Sequence, residues 1–350
     1  MSQLIATYEL LGRALLLLGL VLSGISANAD DRLSLTKFIA DLDHASKNTI
    51  TSMPELDQTA VAFLAMLEMA LNGEEEMTRK AAKTAGYRLR QVTQAGRDYL
   101  VLFDLLRSVG PTIVLAKTPL RELIIEAPHG IADRATDIQS AIALTQLGAR
   151  ALLLAGAHRC ASRSESSCSG RTWVCGDGRA PYRTSDTAHN PDTRFHTAHL
   201  ILTNAWPKAL VVQLHGFAIK NTDALVVLSD GSLEKRAGDS ELIEQVRDGI
   251  RMQFGRRNSA VSCQDPEDDR IPYRKLCART NVQGRHLNGV EDVCHDSAAT
   301  ASGRFLHIEQ AWEIRREVRE HWRAIGESPQ ATVVLDSLGA AIPCTISACR

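Results

Sequence analysis

Two apolar runs in this chain end in the same pair of residues. Leu123-Ile124-Ile125-Glu126 leads through Ala127-Pro128 into His129-Gly130, and Ala209-Leu210-Val211-Val212-Gln213-Leu214 leads into His215-Gly216. Runs this short and continuous are what strands buried on both faces require, because alternation disappears when neither face meets water. Such strands need helices covering both sides of their sheet. Each histidine then stands where a buried strand opens into a loop, the place where open α/β sheets form ligand crevices. The glycine after it lets the backbone turn sharply.

Further runs at 113–116, 151–155 and 224–228 carry the same texture, and helical stretches at 135–147, 194–203 and 242–254 lie between them. Residues 305–323 read as a strand running into a helix, and 333–338 as a last short element. Before this region, Leu56, Ala60, Phe63, Leu64, Leu67 and Leu71 recur at three- and four-residue steps, and Glu74-Glu75-Glu76 opens a second helix through Ala82, Ala85, Leu89 and Val92. The expected fold is α/β, with a mixed, mostly parallel sheet, helices on both faces, and a helical N-terminal segment before it. The expected division is 1–29 as a signal peptide, 30–110 as that helical segment, and 111–350 as the α/β domain.

The signal reading rests on Arg13 before an apolar run at 14–22 and on Ala27-Asn28-Ala29, which places cleavage after Ala29. The run is broken by Gly19, Ser23 and Gly24 and is short for a membrane span of about 20 residues, so no stable span remains after cleavage. A secreted or periplasmic location follows, and eight cysteines suit such an oxidising compartment. None is spaced as CxxC, which disfavours a zinc ribbon, and their grouping favours disulfides that staple loops, with Cys344–Cys349 as a local pair. Forty basic against forty-one acidic residues give a net charge of −1, and nothing in that balance calls for nucleic acid.

Two histidines and an acid at strand ends point to a metal site. A catalytic zinc takes three protein ligands and keeps one position open, so His129 and His215 need a carboxylate. Asp133, four residues after His129, can swing back within the same loop; Asp137 is the alternative. His196 and His199, three apart on the 194–203 helix, form a second possible metal pair. Arg159, at the end of another apolar run, suits bidentate grip of a substrate carboxylate, and Arg285 offers a second anchor. His189 is the substrate-facing histidine of the 162–192 loop. Alternation in Phe305-Leu306-His307-Ile308-Glu309 puts Phe305, His307 and Glu309 on one side of a strand, where Glu309 can act as general base beside a metal.

These motifs, Ala127-Pro128-His129-Gly130, Leu214-His215-Gly216 and the late Glu309, resemble the zinc carboxypeptidase-like hydrolases, nearest to poly-gamma-glutamate hydrolases and N-formylglutamate amidohydrolases. The resemblance spans residues 111–340. It implies an α/β fold with a mixed sheet, a zinc ion held by His129, Asp133 and His215, Glu309 as base, and Arg159 as an anion-binding residue. The acid departs from the family pattern, being Asp where Glu is usual, and its spacing is not the short His-x-x-Glu of the digestive enzymes. The expected activity is hydrolysis of an amide bond in a small peptide, a gamma-glutamyl compound or an acylated amino acid. The competing expectation is a non-catalytic secreted binding protein on the same fold. A serine hydrolase is disfavoured by the lack of a Gly-x-Ser-x-Gly elbow.

Overall fold

The computed structural model describes residues 34–42, 46–50, 58–105, 109–176, 178–218, 223–235, 240–268 and 271–345. The signal segment 1–29 and Cys349 lie outside them.

The strands are β1 (Tyr87–Gln94), β2 (Arg97–Asp104), β3 (Thr112–Ala116), β4 (Leu123–Ala127), β5 (Ala151–Leu154), β6 (Arg171–Thr172), β7 (Ala180–Pro181), β8 (Leu210–Gly216), β9 (Val226–Ser229), β10 (Ala260–Ser262) and β11 (Phe305–Gln310). Among the described residues, nine of them form one mixed sheet in the order β1-β2-β3-β5-β4-β8-β11-β9-β10, and β6 pairs with β7 apart from it. The centre of the sheet, β5-β4-β8-β11, is parallel. The β1-β2-β3 side is antiparallel, as is the β11–β9 pairing.

Both faces of the central strands are buried, as the continuous apolar runs require. Leu123 and Ile125 of β4, Val212 and Leu214 of β8, and Leu306 and Ile308 of β11 point to one face, under the helices Thr136–Leu147, Trp312–His321 and Pro329–Ala341. Burying each such aliphatic side chain contributes about 1.5–3 kcal/mol. Ile124, Val211 and Phe305 point to the other face, under the helix Arg194–Ala205. Further along that second face the residues turn polar. Glu126, Gln213, His215, His307 and Glu309 follow at the C-terminal ends of the same strands, and the register sets Glu126 beside Gln213 and Glu309 beside His215.

The N-terminal region departs from expectation. Helices span Gln58–Leu71 and Glu75–Ala85, but the second stops at Gly86, which caps it with φ 80°, and Leu89 and Val92 lie on a strand. Residues 87–104 form the β1–β2 hairpin, turned by Ala95 and Gly96 at φ 52° and 71°. Its inward residues alternate in part with exposed ones along β1. That period of two marks a sheet edge with one face toward water.

Candidate metal centre

β4 delivers His129 two residues past its end, and a tight turn, closed by the Asp133 N–H donating to the His129 carbonyl at 2.8 Å, swings Asp133 back. Neighbouring β8 delivers His215 directly. The glycines following these histidines do not use the left-handed backbone that favours glycine. They are needed for space. A Cβ on Gly216 would stand 2.3 Å from the Arg315 guanidinium, which ties the strand ends by donating to the carbonyls of Gln310, Arg134 and Phe217. On Gly130 it would stand 3.0 Å from the Asp137 side chain.

The Nδ1 atoms of His129 and His215 are 3.1 Å apart, and Asp133 Oδ2 lies 3.5 Å from each while accepting from the Gly216 N–H. The far nitrogen of each ring faces an acceptor. His129 Nε2 meets Asp186 Oδ1 at 2.7 Å, and His215 Nε2 meets Gln213 Oε1 at 3.1 Å. With the hydrogen of each neutral ring on Nε2, the two Nδ1 atoms turn lone pairs toward each other, and that of His129 also faces Arg159 Nη1 at 3.2 Å. Lone pairs at that separation suit a shared cation, either a proton or a metal ion. Two nitrogens at about 2.0–2.1 Å from one tetrahedral zinc stand about 3.3 Å apart, so the donors fit such an ion.

Electrostatics separate the two rings. Burial and the Arg159 charge oppose protonation of His129, yet the Asp186 and Asp133 carboxylates raise it above its ordinary value. Burial pushes His215 down to about 4. Against its own burial, Asp133 is held well below the usual carboxylate range by the two histidines.

Two further triads lie alongside, His129/Asp186/His189 and His215/His307/Glu309. In the first, Asp186 is a saturated hub. Its Oδ1 accepts from His129 and from His189 Nδ1 at 2.8 Å, and its Oδ2 accepts from Arg159 Nε at 2.9 Å and Nη2 at 2.6 Å. Such a carboxylate orients ligands rather than binding metal itself. Arg159 also sets Nη1 3.2 Å from His129 Nδ1, so its charge reaches the centre while Asp186 balances it. His189 stacks on Tyr182 at 3.7 Å between centroids, and burial lowers it to about 4.

In the second triad Glu309 Oε1 is 3.8 Å from His307 Nε2, while Glu309 Oε2 and His307 Nδ1 are buried without a partner. Burial, aided by the Asp133 charge, pushes Glu309 up to about 8. A carboxyl with one free oxygen and a raised pKa beside a metal-fitting triad is equipped to hold and release a proton.

The fold thus brings together His129, Asp133, His215, Glu309, Arg159 and His189. Arg285 is placed differently, its guanidinium donating to the carbonyls of Arg279, Val293 and Cys294 at 2.9 Å each, where it braces a loop. Asp137 is half-buried near Gly130, and desolvation raises it to about 6. His196 and His199 stack together at 5.7 Å under the sheet, with His199 Nδ1 on Glu126 Oε1 at 2.8 Å. Sequence reasoning gave no role to Asp186 or Gln213, held Glu126 only as a fallback for the acid, and placed His307 on the face of Glu309 without a role. Glu126 and Gln213 left a trace, each being one polar residue inside a buried apolar run. Asp186 left none.

Disulfides Cys160–Cys175, Cys168–Cys294 and Cys263–Cys277 hold the loops around this centre, and Cys168–Cys294 joins the 162–192 and 258–302 loops. A cavity of about 400 Å³ lined by Leu71, Leu100, Leu115, Lys117, Arg150 and Trp206 holds none of the site residues. It lies at the start of β5, away from the chemistry.

The sequence matches no protein family and no curated protein. Among solved structures, it is similar to a bacteriophage poly-gamma-glutamate hydrolase, at 12% identity and TM-score 0.34 over 67% of this chain and 88% of that one. It is also similar to a putative carboxypeptidase A from Shewanella denitrificans OS-217, at 12% identity and TM-score 0.34 over 73% and 77%. Likeness at this level carries no functional argument, which rests on the geometry above.

Proposed function

We propose that this chain is a secreted, zinc-dependent hydrolase of amide bonds, acting on a small peptide, a gamma-glutamyl compound or an acylated amino acid. The observation that carries the proposal is the pair of Nδ1 atoms 3.1 Å apart, backed by Asp133 and oriented from behind by Asp186 and Gln213. Zinc bound by His129, Asp133 and His215 supplies Lewis acidity and lowers the pKa of water at the site.

The chain's own residues do the rest. In its ionised form Glu309 takes the proton from the attacking water with its unpartnered Oε2 and returns it to the leaving amine. Arg159 brings a positive charge to the side of His129 and stabilises negative charge developing there. His189, whose side chain is 13% exposed against 1% for Asp186, is the more accessible of the pair and the one offered to substrate. Three disulfides among the described residues favour an oxidising compartment. None of the helices among those residues is long and apolar enough to cross a membrane.

The test is a hydrolysis screen of gamma-glutamyl peptides and N-acylated amino acids with chelator-stripped and zinc-restored protein. Turnover that is lost on stripping and regained with zinc is expected. Turnover indifferent to the chelator contradicts the proposal, and zinc binding without turnover of any substrate leaves the binding-protein reading in its place.

A further inference from the structure

His215 presents a bare Nδ1 to the centre only while its hydrogen stays on Nε2, and a free imidazole can hold its hydrogen on either nitrogen. The structure contains a chain of donors and acceptors that removes this choice. It begins at a backbone amide. The Gly284 N–H donates to Asn281 Oδ1 at 2.8 Å, and a backbone N–H can only donate. Asn281 therefore turns its Nδ2 outward, where it donates to Gln213 Oε1 at 2.7 Å. At the other end of the Gln213 amide, Nε2 donates to the Glu126 carboxylate at 2.7 Å. Gln213 is thus oriented from both ends, and Oε1 is the atom it shows to His215 Nε2 at 3.1 Å. Glu126, Gln213 and Asn281 are all buried, so no water competes for these bonds.

The geometry points to Gln213, Asn281 and Glu126 as positioning residues that lock His215 in the tautomer whose Nδ1 binds metal. None of them reaches the centre. The lock rests on the reading of His129, Asp133 and His215 as metal ligands, but it makes a claim about the metal-free ring that can be measured separately. Partners behind ligating histidines typically change metal affinity about 10–100-fold when removed.

Asn281 offers a substitution that separates the lock from plain support. It caps the helix Val282–Leu287, a place where Asn, Asp and Ser serve about equally well. Asn281→Ser keeps the cap and leaves Gln213 held by Glu126. Asn281→Asp keeps the cap but sets a second acceptor against Gln213 Oε1, so the amide, with carboxylates at both ends, loses its fixed orientation and can turn Nε2 toward His215. That donor favours hydrogen on Nδ1, in the place the metal needs.

The experiment reads imidazole nitrogen NMR of the metal-free protein together with zinc affinity by competition with a chromophoric chelator. In the wild type, hydrogen on Nε2 and a bare Nδ1 are expected for His215. Asn281→Asp should weaken zinc about 10–100-fold, and Asn281→Ser, which loses the Nδ2 contact but adds no opposing acceptor, should weaken it less. Equal affinity of the Asp and Ser variants, or a wild-type ring with its hydrogen on Nδ1, overturns the lock. Should Asn281→Asp fail to fold, Gln213→Leu decides, a mixture of tautomers supporting the lock and an unchanged single tautomer overturning it. A wild-type ring protonated on Nε2 in a protein that binds no zinc supports the lock while refuting the metal reading.

Discussion

The two faces of β4, β8 and β11 share one backbone and differ by a single residue step. On one face Ile125, Leu214 and Ile308 enter an apolar core beneath helices, and on the other Glu126, Gln213, His215, His307 and Glu309 form a buried polar row. Alternation along a strand is what permits this, because neighbouring side chains point to opposite faces. The comparison teaches that rigidity and chemistry are built from the same strands. Leu214 fixes the strand that aims His215.

The sharpest way to break the comparison is to substitute on each face and ask whether the consequences stay separate. On the polar face, Glu309→Gln should lower turnover about 10²–10⁴-fold with zinc binding kept, as measured by steady-state kinetics on the best substrate. Unchanged turnover removes Glu309 from its role. On the apolar face, Leu214→Ala should cost about 2–5 kcal/mol of stability in urea unfolding with zinc affinity within a few-fold of wild type. If Leu214→Ala abolished zinc binding in the folded protein, the faces would not be separable.

Removing the Cys168–Cys294 disulfide by a double substitution to Ala should cost about 2–4 kcal/mol. That loss should come with a weaker site, because Asp186 and His189 sit in one of the joined loops. Equal urea midpoints would show that the loops hold without it.

A separate effect is on pH. In metal-free protein the raised Glu309, at about 8 against an ordinary 4.5, binds a proton that the unfolded chain releases, so its contribution is full below 4.5 and is lost as pH rises through 8. The melting temperature of Glu309→Gln relative to wild type should therefore climb between pH 5 and pH 8. A flat difference contradicts the assigned burial. His215 and His189, each lowered to about 4 from 6.5, act oppositely, their contribution being present above 6.5 and lost as pH falls through 4.

Much of this arrangement was legible in the sequence. The buried strands announced themselves as apolar runs, and His129 and His215 as the residues that ended them. The β1–β2 hairpin was hidden because Ala85, Leu89 and Val92 continue a helical spacing, and because its turn uses Ala95-Gly96 where the usual hairpin pairs are Asn-Gly or Asp-Gly. Asp186 was illegible for a different reason. It reaches His129 across 57 residues from an irregular loop, and no periodicity links a loop to a strand end. Arg285 misled because a buried guanidinium bracing carbonyls and one gripping a substrate look the same in a sequence.

The central claim is that His129, Asp133 and His215 hold one metal ion, and zinc stoichiometry of the purified, chelator-stripped protein tests it most directly. A titration should show one tightly held equivalent in the wild type and none in the His129→Ala, His215→Ala double variant. A wild-type protein that takes up no zinc, or a double variant that binds it as tightly, would contradict the account.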